Sequence, residues 1–331
     1  MIKLIRNPDF KYNSVSPKIS GYCTVYNGLK ENFPFEISIR SALQFCDEVV
    51  CVDGCSDDGT FELLQKISES DPRLKLYQNQ FDLTEPSCDG QNKAFARCLC
   101  ENDFLIQFDV DEVFHEDDVE KWKLLAKKFP KDTDILHCPV VELWDDLEHS
   151  TYRRHMWKWR LSRNKPEITH AINKYARLTD EKTGKVYARK GMSDGCEYVN
   201  VMSYEPLPHK GFWNEQLDVL RAYQPEQFGA TMNKIIDQLP SVYHTSWLDL
   251  PRKVHQLQPG GIWDQLWSLI YQEKTQERFP GVNFSDQKQV DALVEKLRTE
   301  GGENSDKVKG TFKLTRSAPK ILQDWWPGQQ K

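Results

Sequence analysis

Two stretches decide how this chain is built. They are Val49-Val50-Cys51-Val52-Asp53-Gly54-Cys55-Ser56-Asp57-Asp58-Gly59-Thr60 and Phe104-Leu105-Ile106-Gln107-Phe108-Asp109-Val110-Asp111-Glu112. Each opens with a short, continuous apolar run, the pattern of a strand buried on both faces. Each run stops at carboxylates. Between and around them lie helical periodicities: Phe35 to Cys46 with Ile39, Ala42, Leu43 and Cys46 on one face, and Thr60 onward with Leu63, Leu64 and Ile67. Asp71-Pro72 ends the latter. Further strands are expected at Gly21–Tyr26, Leu74–Tyr77 and Asp134–Glu142, with helices at Gln91–Cys100 and Glu116–Lys128. Strands alternating with helices imply an α/β fold with a mostly parallel sheet flanked by helices.

Beyond about residue 150 the alternation stops. Tyr152 to Arg163 is dense in Arg, Lys and Trp, and residues 180–215 are rich in turn formers. Val254–Tyr271 reads as an amphipathic helix broken near Pro259-Gly260-Gly261, and Gln287–Thr299 as another. We therefore expect three parts: residues 1–150 as an α/β core, 151–250 as a segment that completes the site at its strand ends, and 251–331 as a mixed, largely helical extension.

The 331 residues are 39% hydrophobic, enough for one large domain or two packed ones at about 100–200 residues each. A net charge of −6 leaves no basic surplus for nucleic acid. Lys3 and Arg6 precede no apolar leader segment, and no run of about 18 apolar residues occurs, so no transmembrane helix is expected. The expectation is a cytoplasmic protein, with any membrane contact peripheral. Nine cysteines form no CxxC pair, and Cys51, Cys98, Cys100 and Cys138 lie in or beside apolar runs. They read as reduced, structural thiols.

Ligands of open α/β sheets bind beyond the carboxyl ends of the strands, which is where both acidic clusters fall. Asp53 can accept a hydrogen bond from a base N–H or a ribose hydroxyl. Asp109 and Asp111, spaced i, i+2, can grip one divalent cation, Mn²⁺ or Mg²⁺, together with substrate phosphates. No GxxxxGK[ST] loop and no GxGxxG occurs, so metal plus carboxylates is the remaining way to hold a diphosphate. Arg160 and Arg163 can pair with that diphosphate as planar forks. His244 and His170 are candidates to complete the metal shell or to hold a phosphate oxygen. Asp194, in a Gly-rich turn, is the candidate general base; Glu142, Asp145 and Asp146 are its rivals. Trp157, Trp159, Trp213 and Trp247 either face a sugar acceptor or fill the core, whereas Trp263 and Trp267, four apart, are expected in the core.

Asp53-x-x-Ser56-x-Asp58-Gly59-Thr60, Gly90-Gln91-Asn92-Lys93-Ala94-Phe95-Ala96 and Phe104 to Glu112 together resemble family 2 glycosyltransferases of the GT-A fold, over about residues 18–145. The resemblance implies a nucleotide-sugar donor, a UDP-sugar above all. It implies that Asp53 contacts the base, that Ser56, Asp58 and Lys93 belong to the donor site, and that Asp109 and Asp111 are the DxD motif. It also implies inversion by a single displacement, with a carboxylate deprotonating a hydroxyl of a glycan, lipid-linked saccharide or protein acceptor. Trp159-Arg160-Leu161-x-Arg163, Ile168-Thr169-His170, Ser193-Asp194-Gly195-Cys196 and Tyr243-His244-x-Ser246-Trp247 look like later segments of some members. Where many relatives carry His-Glu, this chain has His170-Ala171. A sugar-phosphate nucleotidyltransferase and a non-catalytic carbohydrate-binding protein are the alternatives.

Overall fold

The computed structural model describes residues 16–85, 87–129, 134–152, 157–170, 178–180, 182, 186–187, 214–271, 278–303 and 308–326. The chain opens with β1 (Ile19–Val25), α1 (Phe35–Ala42), β2 (Glu48–Asp53), α2 (Thr60–Ser70), β3 (Leu74–Gln78), α3 (Cys88–Cys98) and β4 (Phe104–Gln107). Then follow β5 (Glu112–Phe114), α4 (Val119–Lys127), β6 (Ile135–Trp144), β7 (His149–Thr151) and β8 (Trp157–Arg163). Three short strands, β9 (Ile168–Thr169), β10 (Leu178–Asp180) and β11 (Val186–Tyr187), form a small antiparallel sheet. Next come α5 (Asn214–Tyr223), α6 (Pro225–Gln238), β12 (Val242–Trp247), α7 (Leu250–Leu257) and α8 (Ile262–Tyr271). The helix Gln287–Glu300, β13 (Thr311–Lys313) and the helix Lys320–Trp325 complete the order.

The large sheet runs β13-β7-β6-β8-β4-β1-β2-β3, and β12 pairs with both β5 and β6. Strands β3, β2, β1 and β4 are mutually parallel, as the strand–helix alternation predicts. Beyond β4 the sheet becomes mixed, because β8 enters antiparallel between β4 and β6. The expected α/β sheet with helical cover and a helical C-terminal part is present. The helix expected over 254–271 is two helices, α7 and α8, separated at the Pro-Gly-Gly sequence, where Gly260 takes φ +85. No helix among the described residues is long and apolar enough to cross a membrane.

Packing converges on the turn after β4. Every residue of β2, β4 and β6 is buried, so these strands are covered on both faces. Phe45, Phe108, Phe114 and Trp122 interlock with ring centroids 5.1–5.7 Å apart, mostly edge to face. Each such pair contributes about 0.5–1.5 kcal/mol beyond its buried area. Helix α1 fixes the same turn by hydrogen bonds: Ser38 Oγ donates to the Val110 carbonyl at 2.9 Å, and Ser41 Oγ accepts from the Phe114 N–H at 3.0 Å. From the other side, the Thr245 N–H and hydroxyl both donate to the Asp111 carbonyl, at 2.8 and 3.0 Å.

A second apolar cluster, built from Trp144, Trp247, Leu250, Val254, Leu257, Phe279, Leu293, Val294 and Leu297, seats the C-terminal helices on the sheet. Trp144 and Trp247 stack at 4.9 Å, and Trp144 Nε1 donates to the Leu297 carbonyl at 3.1 Å. The helix Gln287–Glu300 stops at Gly301, whose φ of +62 is left-handed and whose Cα lies against the Gly310 backbone. A Cβ there would sit 2.7 Å from Gly310 atoms. Gly301→Ala is therefore expected to lower stability by about 1–3 kcal/mol, read as a reduced denaturation midpoint at unchanged slope; an unchanged midpoint would mean that the Gly310 strand shifts freely.

Candidate active site

The parallel strands deliver the first carboxylate cluster. Asp53 closes β2 and is fully buried. Its Oδ1 accepts from the Ser56 hydroxyl at 2.5 Å, and its Oδ2 accepts from the Ser56 N–H and Gln78 Nε2, both at 3.0 Å. Ser56 Oγ also accepts from the Asn27 N–H at 2.8 Å, which ties the loop after β2 to the loop after β1. Asp58 accepts the N–H of Lys30 at 2.8 Å and of Thr60 at 3.0 Å, holding the start of α2. Burial opposes its charge, but these bonds outweigh burial and place its pKa below the ordinary carboxylate value. Beside Asp53, Tyr26 and Phe81 stack at 5.4 Å with rings 13° from parallel. A Cβ on Gly54 would sit 2.8 Å from Phe81 Cβ and 3.0 Å from a Tyr26 ring carbon, so no side chain fits there. The outcome is a rigid carboxylate next to an aromatic wall.

The second cluster is a charge network on the turn after β4. Glu112 is fully buried; its Oε2 accepts the Asp109 N–H at 3.0 Å, and its Oε1 accepts from Lys158 at 2.8 Å and from Arg160. Asp109 keeps 31% of its side chain exposed and lies 2.9 Å from Lys93, 3.4 Å from Arg160 and 3.7 Å from Lys158. Burial opposes its ionisation, yet these three cations hold its carboxyl well below the usual range. Gln107 adds a bond from Nε2 to Asp109 at 2.9 Å and accepts from Arg160. Lys93 is shared with Asp89 at 3.0 Å, and its pKa rises because Asp109 and Asp89 outweigh desolvation.

Asp111 turns to a different partner. Its Oδ2 lies 3.3 Å from His244 Nε2, while His244 Nδ1 lies 2.7 Å from Glu142 Oε1. Register explains the meeting: β12 lies between β5 and β6, with His244 opposite Glu112 on one side and Glu142 on the other. Burial alone lowers an imidazole pKa, but Glu142 and Asp111 push that of His244 up to about 9. Asp111 in turn is lowered, the imidazole outweighing its desolvation. A carboxylate oxygen and an imidazole nitrogen at this separation, with a carboxylate behind the far ring nitrogen to orient the histidine, are two donors that could hold a divalent cation. Among the described residues no three His, Cys, Asp or Glu side chains converge as a full shell, so such an ion would need substrate oxygens to complete it.

The structure thus brings together Lys93, Asp109, Asp111, Arg160 and His244, with Asp53, Ser56 and Asp58 in the neighbouring strand-end loop. It does not bring Arg163 or His170 to them. Arg163 pairs with Phe104 at the opposite end of β4 and lies over the rings of Phe104 and Phe129. His170 is 2% exposed, with Nε2 2.9 Å from the Tyr22 hydroxyl. Its loop is anchored by Arg97, which donates to the carbonyls of Ile168 and Arg163, both at 2.8 Å. Asp194 and Trp213 lie outside the described residues. Of the rival bases, Asp145 pairs with Arg298, Asp146 accepts the N–H groups of Glu148 and His149 at 2.7 Å, and Glu142 faces His244. Trp157 and Trp247 are buried. Sequence reasoning missed Gln107, Glu112 and Lys158. The signal for Lys158 is its i, i+2 spacing from Arg160, which puts both on one face of a strand.

Residues 34–188 match the family described as glycosyl transferase family 2. No curated protein matches the chain. Among solved structures, a Pyrobaculum calidifontis mannosyltransferase in complex with GDP-Man and Mn²⁺ is similar at 18% identity over 39% of this chain and 38% of its own, with a TM-score of 0.31. S. aureus TarS 1–349 is similar at 16% identity over 85% of each chain, with a TM-score of 0.37. The same protein in complex with UDP-GlcNAc gives 17% identity and 0.35.

The His244 bridge carries a pH signature. Because its folded pKa lies above the ordinary value of 6.5, its stabilising contribution is complete below about pH 6.5 and fades as pH rises through about 9. In metal-free protein, NMR titration of the His244 ring is expected to give a midpoint near 9, and Glu142→Gln to lower it by about one unit or more. A wild-type midpoint near 6.5 would refute the bridge.

Proposed function

We propose that the chain, whose residues 34–188 match the glycosyl transferase family 2 description on an α/β sheet, transfers a sugar from a nucleoside-diphosphate donor, a UDP-sugar in the first instance, to an acceptor hydroxyl. The observation that carries this reading is the convergence of Asp111 and His244, 3.3 Å apart, beside the cation-ringed Asp109 at the strand ends. Asp111 and His244 would hold Mn²⁺ or Mg²⁺, with Glu142 orienting the imidazole. When bound, the ion supplies Lewis-acid stabilisation of the departing diphosphate. Asp109 serves as the outer carboxylate of the DxD motif.

The remaining charges have distinct tasks. Lys93, Lys158 and Arg160 lend positive potential to the place where diphosphate charge accumulates, in a site partly shielded from water. Asp53, its geometry locked by Ser56 and Gln78, accepts an N–H of the base against the Tyr26–Phe81 wall. Asp58 shapes the loop rather than touching the donor. Asp194 remains the assigned base, deprotonating the acceptor for a single inverting displacement. In this reading residues 1–150 bind donor, 151–250 complete the acceptor side, and 251–331 form the helical extension. The acceptor is a glycan, a lipid-linked saccharide or a protein.

A screen of UDP-, GDP- and dTDP-sugars with Mn²⁺ or EDTA, following nucleoside diphosphate release and donor binding by calorimetry, tests the assignment. One donor is expected to bind in a metal-dependent way. Asp111→Asn is expected to weaken that binding by about tenfold or more, and Glu142→Gln to weaken metal affinity by about 10–100-fold. Unchanged Mn²⁺-dependent donor affinity in a folded Asp111→Asn protein would remove the metal assignment.

A further inference from the structure

Lys253 is a buried cation that the site described above does not use. It stands in the first turn of α7 and is only 4% exposed. Its ammonium donates to Ser246 Oγ at 2.6 Å and lies 5.3 Å from the ring centre of Trp247 and 4.7 Å from that of Trp263. Among the described residues no carboxylate lies within ion-pair distance of it. Those nearest in electrostatic reach are Asp111, Glu303 and Glu142, and each has another partner. Asp111 and Glu142 face His244, and Glu303 takes Arg278 through both carboxylate oxygens, at 2.9 and 3.0 Å. The adjacent Arg252 is spent on the carbonyls of Asn32 and Thr245.

Two indole faces and one hydroxyl do not replace the hydration of an ammonium. Cation–π contacts return less than the desolvation of a buried ammonium costs. Burial accordingly pulls the Lys253 pKa down to about 7, despite the attraction of Asp111. Two of its three N–H donors have no protein acceptor among the described residues. Such a group is complementary to an anion that arrives from outside.

Its position indicates which anion. The pairing of β12 with β6 slips between His244, opposite Glu142, and Trp247, opposite Trp144. One residue of β6, Leu143, is thus opposed by two of β12, Thr245 and Ser246. This bulge turns Trp247 onto the face that carries His244 and Glu142, where it stacks on Trp144. Lys253, over Trp247, shares that face. On its other side Trp263 packs both into the C-terminal cluster and against the cluster of Tyr26, Phe81 and Cys88 beside Asp53. The ammonium is thus stacked against the indole that joins the base-side wall and lies within electrostatic reach of Asp111.

Building on the donor reading above, we propose that Lys253 binds a phosphate oxygen of the donor's diphosphate, from the C-terminal side of the cleft and opposite Asp109. Lysine suits this as a compact point charge. The cost of keeping it buried without a counter-ion is recovered when the diphosphate arrives.

Calorimetry on the full chain with Mn²⁺ tests this, using UDP, GDP and dTDP, each beside its own nucleoside. Lys253→Met keeps the stem and removes the charge. It is expected to weaken nucleoside diphosphate binding at least about tenfold, to leave nucleoside binding unchanged, and to hold or raise Tm, because a buried unpaired charge is gone. Lys253→Gln, which retains a donor to Ser246, is expected to behave likewise and guards against misfolding of the first variant. Diphosphate affinity within about twofold of wild type would overturn the proposal, as would equal losses for diphosphate and nucleoside. Unchanged diphosphate affinity with a raised acceptor KM would overturn it in favour of a phosphate on the acceptor. If wild type bound no nucleotide at all, the donor reading would fall with it.

Discussion

The buried pair between Glu112 and Arg160 governs the site. Both side chains are essentially removed from water, and the carboxylate is satisfied because Lys158 and the Asp109 N–H take its remaining capacity, while Arg160 keeps one buried N–H, that of Nε, without a hydrogen-bond partner. A buried ion pair with incomplete hydrogen bonding costs more than it returns. Here the fully used Glu112 carboxylate has a geometric effect: it clamps the turn after β4 to β8. With that turn fixed, Asp109 can only face the cations of α3 and β8, and Asp111 can only face β12. Two carboxylates one residue apart are thereby committed to different chemistry.

Helix α1 and strand β12 complete the clamp from opposite sides, through Ser38, Ser41 and Thr245. The backbone of the acidic turn is thus held by three elements distant in sequence, and its side chains are free for electrostatic work. The same division appears at Asp53, where Ser56 and Gln78 fix a carboxylate that faces an aromatic wall. Rigid backbone with polar groups aimed into a cleft is what electrostatic preorganisation requires.

Much of this was legible from local pattern. The runs before Asp53 and Asp109 are continuously apolar but for Gln107, the pattern of a strand covered on both faces, and carboxylates at such strand ends point to ligand. The C-terminal break at Pro259-Gly260-Gly261 was equally plain. Strand β8 was not, because Lys158 and Arg160 occupy positions that read as solvent-facing until Glu112 and Asp109 are known to lie opposite them. Its antiparallel direction also sends Arg163 to the far end of β4, although two arginines three apart look equivalent in sequence. His170 carries no local mark that separates a ligand from a core residue; only the Tyr22 hydroxyl 148 positions away reveals its surroundings. Glu142 was noticed as a rival base, but its contact with His244 depends on a strand pairing across 102 residues.

Strand β12 also sets an order of assembly. Asp111 is synthesised early, but its histidine arrives 133 residues later, after α5 and α6, and reaches it only by inserting between β5 and β6. Loop closure over such a span is paid for late in folding. A nascent chain that already has its parallel strands therefore presents Asp111 without its imidazole partner until β12 is in register. The stretch matched by the family, residues 34–188, ends before that histidine. The Asp111–His244 contact is consequently a property of the whole chain's closure, and a fragment cut to residues 34–188 would lack it.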